Sequence, residues 1–185
     1  MGYSLCWAAV KSGEAPRVHA LLGLRATGMW EEILESKIGG ASLPTGWYLV
    51  LYQRNALEDA TLKMLSKLGE VVYCFVEDHV MFSRASGWEH ERFLWSVTHD
   101  CEEGRRHLEV RGDAPAPLKD IHAELAAKQD AEQEKDVDHV YDVPAELAKA
   151  LTGFRHDQDM PGMKDKAFEV LEKKNFLSRF LGEKN

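Results

Sequence analysis

A nearly unbroken apolar run, WYLVLYQ at Trp47–Gln53, constrains the fold more than any other feature of the chain. Aromatic and β-branched residues favour a strand, and the lack of polar alternation predicts that both of its faces are buried. A second such run follows at residues 71–76. Between them, leucines recur at helical spacing from Asn55 to Gly69, which predicts a strand–helix–strand unit. The second strand either forms a parallel crossover with the first or joins the sheet elsewhere.

Three further strand-like runs lie close together after this unit, at residues 79–83, 93–98 and 107–110. Short strands separated by polar turns are typical of an antiparallel meander. The segment RASGWEHER, residues 84–92, is predicted to be the hairpin loop between the first two of these strands. Pairing Phe82 near Phe93 matches apolar side chains across the strands, and it is the register that we expect.

Helical patterns are concentrated in the C-terminal part of the chain. Pro117 and Pro144 stand in the first turns of two predicted helices, and a Phe/Leu pattern predicts a third over residues 164–181. We therefore expect an α+β fold, with a mixed or antiparallel sheet of five to six strands, packed helices and a helical C-terminal tail. Residues 1–155 are predicted to form a single α+β domain, and residues 156–185 a linker and an amphipathic helical tail.

The cysteines and the first residues of the chain predict its compartment. Cys6, Cys74 and Cys101 are far apart and include no C-x-x-C pair, which predicts reduced thiols rather than disulfides or a thiolate zinc site. The first residues lack the basic start and long apolar core of a secretory signal. No stretch approaches the roughly 18 apolar residues of a membrane-spanning helix. We expect a cytoplasmic protein without a membrane span.

The chain is acidic, with 31 acidic and 23 basic residues and a formal net charge of −8. Binding to nucleic-acid phosphates requires a basic surface, so no nucleic-acid partner is expected. The acids are densest between Asp120 and Asp142, where eight of them face two lysines. Such helices either attract a basic protein partner or serve solubility alone, and the sequence leaves both interpretations open.

Common catalytic and cofactor motifs are absent from the sequence. There is no G-x-x-x-x-G-K-[ST] phosphate loop, no G-x-G-x-x-G after a strand, no H-E-x-x-H and no G-x-S-x-G. The acidic run at residues 130–138 lacks the central glycine and terminal glutamate of a calcium loop. No cofactor and no metal site are therefore expected.

Histidine and carboxylate side chains at facing ends of two predicted strands are the candidate catalytic residues, namely Glu77, His79, His99 and Asp100. Imidazole beside carboxylates can act as an acid–base pair or bind a divalent metal. In the expected register, Glu77 and His79 share a face with Asp100, and His99 joins them only where its strand has ended. Polar residues also occur at strand ends simply because the chain leaves the core there.

A tryptophan among charged residues is the candidate contact for a partner. Trp88 lies in the predicted hairpin loop with Arg84 and Arg92 near it. An aromatic side chain on a charged loop is typical of an interaction site, although a tryptophan can also fold back on the sheet. The pair Met29–Trp30 is likewise either core or surface patch.

A block within residues 79–157 contains the segments HVMFSRASGW, FLWSVTHD, LEVRG and VDHVYDVPAELAKALTGFRHD. Together these segments resemble a family of small uncharacterised bacterial proteins. The resemblance implies a bacterial cytoplasmic origin, and it implies no activity, cofactor or catalytic residue.

Two functions are therefore expected from the sequence. The first is a non-catalytic protein–protein interaction module, either an adaptor or an inhibitor of the toxin–immunity kind, which binds an unknown protein or self-associates through its tail. The second is a small hydrolase that uses the His/carboxylate cluster with or without a metal.

Overall fold

A computed structural model describes residues 2–132, 137–159, 162 and 167–174. Within these residues, nine strands form one antiparallel sheet in the order β2-β9-β3-β4-β1-β5-β6-β7-β8. The strands are β1 (Ser4–Lys11), β2 (Leu24–Glu31), β3 (Ile38–Ser42), β4 (Trp47–Gln53), β5 (Val71–Glu77), β6 (Phe82–Glu89), β7 (Arg92–Asp100), β8 (Glu109–Gly112) and β9 (Phe168–Lys173). The helices are α1 (Ala15–Leu22), α2 (Asp59–Leu65), α3 (Pro117–Ala131) and α4 (Val143–Thr152).

The centre of the sheet is formed by the apolar runs that the sequence marks most clearly. β1 pairs antiparallel with both β4 and β5, so those two strands run parallel to each other with β1 between them. The second strand of the strand–helix–strand unit, β5, is therefore parallel to β4 but does not pair with it, because β1 lies between them. Six consecutive residues of β4 are buried, as the unbroken apolar pattern predicts.

Helices cover both faces of the sheet. On one face, Trp7 and Leu49 belong to a core cluster that includes Leu147 of α4 and Leu125 of α3. On the other face, the core contains Val18 of α1 and two leucines of α2. Burial of each large apolar side chain contributes about 1.5–3 kcal/mol, so the two-sided core accounts for the continuous apolar strands. The α+β class is confirmed, with four helices and a single antiparallel sheet.

The predicted strand number of five to six is wrong, because three strands were hidden by their sequence patterns. β2 and β3 lie in a stretch of sequence whose glycines are typical of turns, so no strand is predicted there. In β3, an added Cβ at Gly40 would lie 2.2 Å from the hydroxyl oxygen of Tyr48, so this glycine allows close packing inside the sheet rather than a turn. The third strand is β9, where a helix was predicted.

The predicted C-terminal helix is wrong over Phe168–Lys173, which form β9 between β2 and β3. Phe168, Val170 and Leu171 are the buried residues among the first four of β9. So short a pattern of buried positions fits the spacing of a strand and of a helix equally well. Strand neighbours on both sides bond to its backbone, and this tertiary pairing decides its structure. The rest of the predicted tail lies largely outside the described residues.

The hairpin between β6 and β7 also differs from the prediction, because residues 84–89 are strand and the turn is only two residues long. His90 and Glu91 have φ values of 49° and 60°, the left-handed conformations of a tight hairpin turn. Trp88 therefore pairs with Phe93, and Phe82 pairs with Asp100, so the predicted Phe82–Phe93 register is wrong. No Asn-Gly or Asp-Gly pair marks this turn in the sequence.

Candidate membrane-spanning helices were sought in the described part of the chain. None of its helices is both long enough and apolar enough to cross a membrane.

Candidate functional site

The structure does not bring the four predicted catalytic residues into one cluster. Glu77 ends β5 and His79 lies in the following turn, where the imidazole Nδ1 is 2.8 Å from the Glu77 carboxylate. His99 and Asp100 are neighbours in β7 and therefore point to opposite faces of the sheet. The Asp100 carboxylate accepts a hydrogen bond from the backbone N–H of Glu102 and so caps a short 3-10 turn. Among the described residues, no three His, Cys, Asp or Glu side chains are placed to hold a metal ion.

His99 has a different carboxylate partner, which the sequence analysis missed. Its side chain is completely buried, and its Nε2 lies 3.2 Å from Oδ2 of Asp138. The Nδ1 atom is 2.8 Å from the backbone oxygen of His107 and must donate, because a carbonyl only accepts. Asp138 belongs to the stretch that we had interpreted as a solvated acidic face. Both side chains of this pair are almost completely buried within the described part of the chain.

The three predicted interaction residues occupy different environments. Trp88 is only 6% exposed, and its indole N–H donates to the hydroxyl of Ser86 inside the core. The predicted loop position of Trp88 is therefore wrong, and its ring packs edge-on against Phe93. Arg84 lies 3.6 Å from the Asp59 carboxylate, and Arg92 is exposed beside the hairpin turn. An interaction role for these two arginines stays a prediction.

Among the described residues, the three large apolar side chains at the β2 edge of the sheet include the two most exposed, Ile33 and Met29. We call Met29, Trp30 and Ile33 the β2 patch; these side chains are 60%, 47% and 77% exposed. The other four tryptophans of the chain are between 1% and 6% exposed, so Trp30 is exceptional within its own molecule. The sequence left Met29–Trp30 open between core and patch, and the structure places both residues on the surface.

The strand that carries Met29 and Trp30 contains a bulge. Ala26 pairs with Leu171 and Trp30 with Glu169, so three residues of β2 face a single residue of β9. Gly28 takes a φ of +78°, a conformation that glycine adopts without strain. The Thr27 hydroxyl fixes the bulge, since it donates to the backbone oxygen of Val170 and accepts from the N–H of Met29. Bulges at sheet edges reorient side chains in this way.

The loop after β2 is fixed by Glu31. Its carboxylate accepts hydrogen bonds from the hydroxyl and backbone N–H of Ser36 and from the N–H of Glu35. The bonds from Ser36 lower the pKa of Glu31, so this side chain stays anionic. Ile33 lies inside the loop that these bonds close. The β2 patch is thus held in place by its own surroundings, with acidic groups beside it.

A second feature is a polar cavity of about 340 Å³ at the far end of β5. It is lined by Tyr3, Asp78, Tyr141, Arg155, His156 and Asp157, together with apolar side chains. The Asp78 carboxylate accepts from the Tyr141 hydroxyl at 2.6 Å and from the backbone N–H of Tyr3 at 2.7 Å.

The guanidinium of Arg155 organises one wall of this cavity. Its nitrogens donate to Asp142, Glu146 and Asp157 at distances of 2.5 to 2.7 Å. Asp142 stands at the N-terminus of α4, yet its carboxylate binds Arg155 and makes no cap hydrogen bond. Burial is the main reason that the pKa of Asp142 is raised, and Arg155 offsets part of that effect.

Comparison with known proteins adds nothing to this geometry, since no family model, no curated protein and no solved structure matches the chain. The function is therefore argued from the residues themselves.

Proposed function

We propose that this protein is a non-catalytic interaction module that binds another protein through the β2 patch. One observation carries the proposal: Met29, Trp30 and Ile33 are exposed at one edge of the sheet while the other four tryptophans are buried. The three residues lie within five positions of the chain, and contiguous exposed apolar surface is uncommon on monomeric proteins and typical of binding surfaces. Tryptophan and methionine are also enriched in the centres of protein interfaces.

The patch is organised before any partner arrives. The Thr27 hydrogen bonds fix the bulge, and the Glu31 carboxylate closes the loop that carries Ile33. Ordering a flexible loop on binding costs free energy, so a surface that is already fixed retains more of the contact energy as affinity. The bulge also interrupts the outer edge of β2, which disfavours simple addition of a partner strand. Contact through side chains is the mode that this geometry supports.

Charge indicates what kind of partner fits. Glu31 is anionic, and Glu32 and Glu35 are exposed in the same loop. The whole chain carries a formal net charge of −8. A partner with an apolar centre and basic side chains around it complements this surface. A second copy of the chain would bring two acidic loops into one interface, so we propose a different protein as the partner. This chain would then act either as an adaptor or as an inhibitor of the toxin–immunity kind.

The hydrolase alternative gains no support from the geometry. Among the described residues, Glu77 pairs with His79 and Ser4, His99 is buried, and Asp100 caps a turn. No step of a reaction is assigned to these residues.

The proposal is tested by placing a photo-crosslinking amino acid at position 33 of the full chain in the cells that make it. Position 110 in β8 is the matched control, because Val110 is also apolar, 45% exposed and on an edge strand, but at the opposite edge of the sheet. The crosslinked protein is then purified and its affinity for the native chain measured by calorimetry. We expect crosslinking to one partner from position 33 alone.

Two results would overturn the proposal. Crosslinking from position 33 only to a second copy of the chain would replace the heteromeric partner by self-association. A purified partner that binds Trp30→Ala as tightly as the native chain would remove the β2 patch from the interface.

A further inference from the structure

The cavity beside Arg155 has the composition of a site for an organic cation. Carboxylates from three places in the chain meet there: Asp78 from the turn after β5, Asp142 from the start of α4, and Asp157 from the segment after it. Glu146 also binds the same guanidinium. Three carboxylates bind Arg155, and the described charged residues that line the cavity are three aspartates and this one arginine, so carboxylates outnumber cations in its lining.

An anionic ligand does not suit this cavity. The Nε, Nη1 and Nη2 atoms of Arg155 each donate to a carboxylate already, and its side chain is only 10% exposed. The guanidinium therefore has little capacity left to hold a phosphate or a carboxylate from outside. A metal ion is also a poor fit, since the described residues include no three-ligand group for one.

The aromatic lining is a second observation that indicates a cation, and it is independent of the carboxylates. The rings of Tyr3, Tyr141 and His156 all line the cavity, with Tyr3 and His156 edge to face at a centroid distance of 4.8 Å. Aromatic faces attract ammonium groups through the ring quadrupole, and carboxylates beside them add Coulomb attraction. Recognition of substituted ammonium groups commonly combines these two elements.

His156 lines the cavity and has one ring nitrogen that is unpartnered within the described part of the chain. Its Nδ1 is buried and has no hydrogen-bond partner among the described residues. Burial lowers the pKa of His156, so the ring is neutral near pH 7. A neutral imidazole whose Nδ1 is unprotonated can accept a hydrogen bond.

We propose that this cavity binds a primary ammonium group carried on an aliphatic chain. The ammonium would lie between Asp78 and Asp157, and the aliphatic chain would pack against Val76, Met81 and Ala145. A volume of about 340 Å³ is at the small end of ligand sites, which suits a diamine or a single lysine side chain. The two sources share one chemistry. The site lies on residues that the β2 patch does not use, so it extends the proposed function rather than repeating it.

The experiment is calorimetric titration of the full-length protein at pH 7.5 with three probes. Putrescine represents a free amine, Nα-acetyl-lysine methylamide represents a side chain of another protein, and 1-pentanol is the neutral control. We expect both amines to bind and pentanol not to bind. Tighter binding of putrescine indicates a free amine as the ligand, and tighter binding of the lysine derivative indicates a protein side chain.

The variant Asp157→Asn should weaken amine binding about tenfold, because one carboxylate of the site loses its charge. The matched control is Asp120→Asn, since Asp120 is exposed on α3 and does not line the cavity; its affinity should equal that of the native chain. Tyr3→Leu is the second variant if Asp157→Asn does not fold, and loss of the ring should also weaken binding.

Three outcomes would overturn the inference. They are equal heats from pentanol and the amines, equal affinities of the native chain and the folded cavity variant, and displacement of putrescine by equimolar Ca²⁺. The last result would identify a metal site instead. None of these outcomes depends on whether the β2 patch binds a protein.

Discussion

The imidazole Nε2 of His99 lies 3.2 Å from Oδ2 of Asp138, with both side chains almost entirely buried. Nδ1 of His99 donates to the backbone oxygen of His107, so each ring nitrogen of this buried imidazole lies beside an oxygen atom. The pair ties β7 to the segment that precedes α4, where the Tyr141 N–H also donates to Asp138.

The first prediction concerns this pair. Asp138→Leu should lower the free energy of unfolding by about 3–5 kcal/mol, because it leaves a buried imidazole without its partner. The double variant His99→Leu/Asp138→Leu should be less destabilised than the two single variants added together. Urea unfolding followed by circular dichroism measures all four proteins. Additive effects would mean that the two residues do not interact.

The second prediction concerns Trp30. Trp30 is 47% exposed and the other four tryptophans are at most 6% exposed, so acrylamide should quench one fluorescent component strongly. Trp30→Phe should abolish that component and change the free energy of unfolding by no more than about 0.5 kcal/mol. Trp88→Phe is the control and should leave the accessible component intact. An unchanged quenching profile in Trp30→Phe would show that the β2 patch is covered.

The third prediction is a loss of stability in mild acid. Burial lowers the pKa of His19, which lies against the Tyr48 hydroxyl. Two weaker charge effects act on the same pKa: Glu169 raises it and Lys174 lowers it. The unfolded chain then binds a proton at a higher pH than the folded chain, so stability is full above the unfolded pKa of about 6.5 and falls as the pH drops below it. Melting temperatures between pH 7.5 and 5.5 should show this fall.

The control for that experiment is His19→Gln, which removes the titrating ring. Its melting temperature should depend less on pH than that of the native chain. His156 has a pKa lowered by burial in the same direction, so part of the dependence should remain. A variant with the native pH profile would contradict the assignment to His19.

The fourth prediction concerns the packing of β3 on β4. Gly40→Ala places a methyl group where the Tyr48 hydroxyl stands, and should cost about 1–3 kcal/mol of unfolding free energy. Tyr48→Phe removes the clashing oxygen. It should therefore lower the free energy of unfolding by less when Gly40→Ala is already present than in the native chain. Chemical unfolding of the three variants measures the difference. Equal costs in both backgrounds would contradict the close approach.

The parts of the fold that were predictable from the sequence are those with one strong local pattern. The apolar run of β4 gave a central, doubly covered strand, and Pro144 with Gly153 marked the two ends of α4. β9 was misread because its buried residues fit two periodicities. The glycines of β3 were misread because close packing and turns use the same residue.

The candidate sites were less predictable, because each depends on contacts between distant parts of the chain. Asp138 looked like one acid in a solvated run until the fold placed it against His99. The sequence left Trp88 open between a loop contact and packing on the sheet, and a two-residue turn makes its segment a buried strand; Trp30 likewise had no local pattern that fixed its environment. Arg155 and Asp78 are 77 positions apart in the sequence, and only the closed sheet brings them to one cavity.

The most direct test of the proposed interaction module is the affinity of the crosslinked partner for Trp30→Ala, measured by calorimetry beside the native chain and Val110→Ala. Truncation of a central interface tryptophan costs about 2 kcal/mol or more, so we expect Trp30→Ala to weaken binding by about 30-fold or more. Val110→Ala should bind like the native chain. Equal affinity of Trp30→Ala and the native chain, or an equal loss in both variants, would contradict a binding site at the β2 patch.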